Sequence, residues 1–205
     1  MAHHDIVTPI DEAQVRSWNA GDTVTLNGTL FGIRDATQIH MFDHGRVPRF
    51  DMRGHAVIHT APNVVRVTPS SENPAGYRPI CIGTTTSARM ERFSHPLMRD
   101  YGVRMIIGKG GLLEGSQQAF AEFGGVYLAI VGGAAALETT WIEAIEDVDM
   151  DDLHPESLWQ FRVSGFGPLM VAMDSHGNSL HRDVRDAAEA RRASALAVFN
   201  QAAEG

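Results

Sequence analysis

Three short segments gather residues able to bind an anion and polarise it. Gly83-Thr84-Thr85-Thr86-Ser87-Ala88-Arg89 places four consecutive hydroxyl residues after the apolar run Ile80-Cys81-Ile82, with an arginine four residues beyond Thr85. At a strand-to-helix junction such hydroxyls either cap the helix or, together with backbone N–H groups, face an anion. Plain capping, with Arg89 solvated, is the simpler account of the composition alone. Gly108-Lys109-Gly110-Gly111 follows Met105-Ile106-Ile107. Its glycines allow close backbone approach to a ligand, and its lysine adds charge. The upstream glycine spacing and the following Ser or Thr of a nucleotide-phosphate loop are missing. Lys109 is the only lysine in the chain. A genome that favours Arg codons explains the bias, but the one survivor points to a place where a compact ammonium is wanted and a planar guanidinium does not fit. Arg34-Asp35 lies at the end of an apolar, β-rich run; an arginine there can grip a carboxylate bidentately with Asp35 orienting it, or form a surface pair of small energetic value. Three cations and a hydroxyl cluster, all on loops, suit a small dianion such as a dicarboxylate, which needs two or three positive groups in place of its hydration shell.

Other classes fit poorly. The ten histidines show no helical metal-ligand spacing, so no metal site built from this chain alone is expected. Asp174 and His176 read as parts of a turn, and His3 and His4 carry no assigned role. The single cysteine, Cys81, cannot form an internal disulfide, which fits a reducing cytoplasm. Nor can it hold an iron–sulfur cluster, so any such cluster must come mostly or wholly from another chain. A net charge of −8 offers no basic stripe for nucleic acid. No apolar stretch is long enough to span a membrane, and the start lacks the pattern of a secretory signal, so a cytoplasmic protein is expected.

The elements that must position these segments read as an α/β fold with a mixed sheet in a single domain, residues 1–205. A helix is expected over Asp11–Ala20. The pair Asn27-Gly28 between Thr23-Val24-Thr25-Leu26 and Thr29-Leu30-Phe31-Gly32-Ile33 predicts a hairpin. A short helix follows over 36–45, then strands at Ala56–Thr60 and Val64–Val67. Pro69–Pro79 reads as a loop. Further on come a helix from Ala88 to about Phe93, a strand at Met105–Ile107, a helix over Ser116–Phe123 and a central strand Val126–Val131. A helix over Ala134–Ala144 and two strands, Leu158–Val163 and Leu169–Met173, complete the body. The Ala-rich tail from Asp183 predicts a solvated helix over 183–205. Two of the candidate loops follow strands and precede helices, where open α/β sheets place their ligands.

Several pieces in this order resemble the β-type domain of the iron–sulfur hydro-lyases, the class I fumarases and L-tartrate dehydratases. They are Gly21-Asp22, Gly28-Thr29, Arg34-Asp35-Ala36, Gly83 through Met90, Ile107-Gly108-Lys109-Gly110, Gly124-Gly125-Val126-Tyr127, Gly132 through Leu137, and Asp174 with Gly177-Asn178. The resemblance spans about Gly21 to Asn178. It implies a swivelling β/β/α domain and an α-type partner subunit whose three cysteines hold a [4Fe–4S] cluster with one iron open to substrate. It also implies homodimerisation. Arg34, Arg89 and Lys109 would bind the substrate carboxylates, and Thr85 would take the C3 proton. Two positions depart from the family pattern: Thr37-Gln38 replace Ala-His after Arg-Asp-Ala, and Thr84 replaces a proline. The reading that follows is the β subunit of a heteromeric hydro-lyase acting on a small hydroxy-dicarboxylate of the malate or tartrate kind. The rivals are a dicarboxylate-binding module of the same fold without catalysis, and a scaffold subunit whose C-terminal helix docks a partner.

Overall fold

The computed structural model describes residues 1–130 and 135–203. Among these residues, nine strands and six α-helices follow in the order β1 (His3–Val7), α1 (Glu12–Arg16), β2 (Thr23–Ile33), α2 (Asp35–Phe42), β3 (Ala56–His59), β4 (Asn63–Arg66), β5 (Tyr77–Cys81), α3 (Glu91–Tyr101), β6 (Met105–Gly108), α4 (Glu114–Phe123), β7 (Val126–Ala129), α5 (Ala135–Thr140), β8 (Ile142–Asp149), β9 (Leu158–Met173) and α6 (Leu180–Ala203). The main sheet has the order β1-β2-β3-β6-β7-β9-β8, and β2 also pairs with β9. That extra pairing closes β2, β3, β6, β7 and β9 into a ring. Within it β2, β3, β6 and β7 run parallel, and β9 runs antiparallel to both neighbours. The fold is α/β with a mixed sheet, as the sequence predicts.

Strand alternation divides the core in two. Leu30, Ala56, Ile58, Met105, Ile107, Val126, Leu128 and Phe161 point into the ring. Their neighbours Phe31, Val57, Ile106 and Tyr127 point outward and pack against Met41 of α2, Leu97 and Met98 of α3 and Phe120 of α4. Parallel strands buried on both faces explain why β3 and β6 read as unbroken apolar runs.

Several expectations are corrected. No hairpin forms at Asn27-Gly28: β2 runs through the pair, with bulges in its pairing to β9. Gly28 has φ +94° and lies so close to the Thr8 backbone that a Cβ would meet Thr8 O at 3.2 Å. The Asn27 side chain accepts from Gly165 N at 2.8 Å and donates to Ile6 O at 3.2 Å. The turn-forming pair therefore serves as a bulge where β2 stops pairing with β1 and starts pairing with β3. The first helix stops at Arg16 instead of Ala20, because the amides of Asn19 and Ala20 are taken by the carboxylates of Asp22 and Asp174. The stretch read as a loop up to Pro79 contains the start of β5, which pairs with β4. The helix expected from Ala88 begins as a 3-10 turn, Ser87–Met90, and continues as α3 to Tyr101. The central strand ends at Ala129; Val131 and the Gly132-Gly133-Ala134 run lie outside the described residues. The helix expected to reach Ala144 stops at Thr140, and Ile142 opens β8. The two late strands are one 16-residue strand, β9, long enough to pair with β2, β7 and β8 together. The tail is helical to Ala203, with residues 183–197 exposed, and its last two residues, 204–205, lie outside the described residues. Among the described residues, no helix is long and apolar enough to cross a membrane.

Candidate dicarboxylate site

The ring's topology brings the three candidate segments to one end of the barrel. Arg34 follows β2, the His59-Thr60 pair closes β3, and Lys109 follows β6, so all lie at the carboxyl ends of adjacent parallel strands. The hydroxyl segment is pinned across that end. Thr85 N donates to His59 O at 2.8 Å and Ser87 N to Lys109 O at 2.9 Å. Thr60 Oγ1 donates to Gly83 O at 3.0 Å. Thr86 is the N-cap of the following 3-10 turn, yet no side chain caps it. The hydroxyls of this segment thus do other work than capping.

Asp35 joins two of the cations. Arg89 donates to it from Nε at 3.3 Å and from Nη2 at 2.9 Å, and Nη2 also donates to Thr85 Oγ1 at 3.2 Å. The hydrogen bonds from Arg89 hold the Asp35 carboxyl below its usual range, against the opposing effect of burial, and the same contact raises Arg89. Arg34 Nε lies 3.5 Å from Asp35 and 3.4 Å from Glu156. It is buried and out of line for a hydrogen bond with either. The Arg34 and Arg89 side chains are 32% and 47% exposed, so both guanidiniums remain reachable from solvent. Lys109 is half-buried on the neighbouring loop, and its charge acts on the Glu138 carboxyl. Arg34, Thr85 and Arg89 are therefore gathered around Asp35, with Lys109 joined to them through the backbone of the hydroxyl segment.

Beneath the cations lies a layer that the sequence does not disclose. His59 is 1% exposed, and its Nδ1 lies 2.9 Å from Ser87 Oγ. Ser87 Oγ is 3.0 Å from Tyr127 OH, and both residues are fully buried. Burial pulls His59 down to about 3, and the nearby Arg89 acts in the same direction while Asp35 opposes it. The imidazole is neutral at physiological pH. Burial pushes Tyr127 up to about 12. Gly108 makes room for this layer, since a Cβ there would come within 1.9 Å of Ser87 Oγ and 3.0 Å of Tyr127 OH. The only signal for His59 in the sequence is a polar pair ending an otherwise apolar strand. Glu138 and Glu156 carry no local signal at all.

Thr37 and Gln38 also find a place. Both are buried at the start of α2. Thr37 Oγ1 donates to Glu156 O and to Ser157 O, and Gln38 Nε2 donates to Arg34 O at 3.4 Å. They support Arg34 and Glu156 from behind.

The cations are partly exposed. A cleft of about 400 Å³ borders the lysine loop at Gly110, but it runs between α4 and the start of α6, past Leu113, Gln117, His181 and Arg182, and none of Arg34, Thr85, Arg89 or Lys109 lines it. Among the described residues, no three His, Cys, Asp or Glu side chains gather as a metal site. Cys81 is one half-buried thiol on β5. This donor set does not fit a cluster that needs several thiolates.

The family model described as "Fumarase C-terminus" matches residues 2–184. The chain is 39% identical over 177 residues to a protein of Geobacillus stearothermophilus named putative fumarate hydratase class I; the match covers 86% of this chain and 33% of that protein. The chain thus spans about a third of that relative's length. It is 35% identical over 176 residues to the L(+)-tartrate dehydratase subunit beta of Escherichia coli (strain K12), covering 85% of each chain. A third relative, the putative L(+)-tartrate dehydratase subunit beta of Methanocaldococcus jannaschii, is 34% identical over 181 residues, with 85% of this chain and 89% of that one covered. With nine-tenths of its length matched by the family model, this chain belongs to the fumarase C-terminus family.

Proposed function

We propose that this chain is the β subunit of a hydro-lyase that adds water to, or removes it from, a small hydroxy-dicarboxylate of the malate or tartrate kind. The observation that carries the reading is the cluster Arg34–Asp35–Arg89–Thr85 with Lys109 on the adjoining loop. Arg34 and Arg89 grip one carboxylate and Lys109 the other. Arg89 keeps Nη1 free of any hydrogen bond among the described residues, so it can receive a substrate oxygen without leaving Asp35. Asp35 and Glu156 hold the guanidiniums in place before substrate arrives, which lowers the ordering cost of binding. Thr85 Oγ1 takes the proton from the carbon beside the leaving hydroxyl. A threonine hydroxyl is a weak base, and the guanidinium 3.2 Å away stabilises its deprotonated form.

The reaction needs an acceptor for the leaving hydroxyl, which this chain's described residues do not offer. An α-type partner carrying a [4Fe–4S] cluster would supply it as a Lewis acid. The partial exposure of the Arg34 and Arg89 side chains supports this division, since it leaves both guanidiniums accessible to a second surface. Homodimerisation of the β-type chain and a cytoplasmic setting belong to the same proposal.

The test is purification of the tagged chain from its native cells without oxygen. A stoichiometric partner with three separated cysteines, together with iron and turnover of a hydroxy-dicarboxylate, is the expected result. Isolation of the chain alone, iron-free and inert towards every dicarboxylate, would overturn the reading.

A further inference from the structure

The segment that carries Thr85 is held from two sides. On the barrel side the ties are backbone-anchored: Thr85 N to His59 O, Ser87 N to Lys109 O, and Thr60 Oγ1 to Gly83 O. On the far side the last turn of α5 supplies the ties. Thr139 Oγ1 accepts from Ile82 N at 2.9 Å. Glu138 Oε2 accepts from Thr84 Oγ1 at 2.6 Å. Glu138 is 1% exposed, and Thr84 is also buried. A carboxyl group buried this deeply is costly unless it is hydrogen-bonded or paired. Its partners here are the hydroxyl beside Thr85 and the field of the chain's only lysine.

We propose that Glu138 is a positioning residue for Thr85: its carboxyl group fixes the Thr84 hydroxyl and so sets where the neighbouring Thr85 hydroxyl stands relative to Arg89. Glu138 does not reach the substrate. It acts through one hydrogen bond, on the side of the loop that the barrel strands leave unheld. This inference rests on the proposed role of Thr85 for its catalytic consequence, but its structural consequence can be read without any activity.

Three variants separate the cases. Glu138→Gln keeps an acceptor for Thr84, whereas Glu138→Ala and Thr84→Val each remove one end of the bond. In the complete enzyme, Glu138→Ala and Thr84→Val are expected to lower kcat tenfold or more. KM should stay within about twofold of the parent, because the three cations that bind the carboxylates are not tied to Glu138 by a hydrogen bond. Glu138→Gln should recover most of the loss, and the double variant Glu138→Ala/Thr84→Val should be no worse than the poorer single one. On the full chain by itself, hydrogen exchange of the Thr85 and Ser87 amides should quicken in Glu138→Ala and Thr84→Val and stay slow in Glu138→Gln. Unchanged exchange in Thr84→Val would overturn the inference whatever the enzyme's activity. Equal rises in KM and falls in kcat, with no recovery in Glu138→Gln, would also overturn it. Quickened exchange with no hydro-lyase turnover in the parent complex would keep the loop anchor and sink the proposed reaction instead.

Discussion

The two layers of the site obey different physics. The outer layer, Arg34, Asp35, Arg89 and Glu156, consists of charges that remain partly in water. Pairs of this kind contribute at most about 1 kcal/mol each to stability, because water screens them and two long side chains lose freedom in meeting. The inner layer, His59, Ser87, Tyr127 and Glu138, is closed to solvent. Each hydrogen bond there is modest in net terms, but leaving one partner unmatched costs the full desolvation of that group. The outer layer is therefore free to take up a ligand carboxylate beside its own, while the inner layer fixes the loops that carry it. The proposed function is concentrated where stability is low, and stability where solvent does not reach.

The largest expected effect tests the outer layer. Arg89→Ala or Lys109→Ala should lower kcat/KM of the complete enzyme by on the order of a hundredfold or more, as loss of a charge-assisted contact to a carboxylate implies, with little change in melting temperature. Activity untouched by both substitutions would break the assignment of function to this layer. Next comes Ser87→Ala, which takes Ser87 Oγ from the His59 imidazole and leaves the Tyr127 hydroxyl with the Gly111 backbone. It should cost about 1–3 kcal/mol in denaturant unfolding, chiefly from the unmatched His59. Gly108→Ala should cost about 1–3 kcal/mol by overpacking the same spot, where the added methyl would strike Ser87.

A pH series sharpens the contrast further. His59 titrates near 3 when folded and near its ordinary 6.5 when unfolded. Between those values the unfolded chain binds the extra proton, so stability is complete above pH 6.5 and falls as pH drops towards 3. The slope is about 1.4 kcal/mol per pH unit. His59→Asn should flatten that limb, and an unchanged slope would mean that the imidazole is not held neutral. The smallest effect belongs to Asp35→Asn, which should change unfolding free energy by less than about 1 kcal/mol because its pair with Arg89 is half in water. A cost as large as that of Ser87→Ala would erase the distinction between the layers.

Legibility in the sequence follows the same division. Lys109 stands out by itself, as the only lysine and on a glycine loop, whereas Arg34, Arg89 and Thr85 gain their roles from the family resemblance, because the hydroxyl run reads as readily as a helix cap and Arg34-Asp35 as a surface pair. The apolar runs of β3, β6 and β7 were readable for a similar reason: strands buried on both faces leave a continuous local signature. Local rules fail where a distant partner intervenes. Asn27-Gly28 has the chemistry of a hairpin turn, but Thr8, Ile6 and Gly165 enlist it as a bulge. The helix expected over Ala134–Ala144 was cut short because Ile142 onward pairs with β9.

The residue types at the site, the apolar alternation that divides the core and the lack of thiolates for a cluster are properties of the sequence itself, since each depends on neighbours within a few positions. That Asp35 meets Arg89 across 54 residues, that His59 meets Ser87 across 28, and that Thr84 meets Glu138 across 54 was decided only when β2, β3, β6, β7 and β9 closed into a ring. Ring closure depends on strand pairings between remote segments, and no local pattern in the chain encodes which strand will stand beside which.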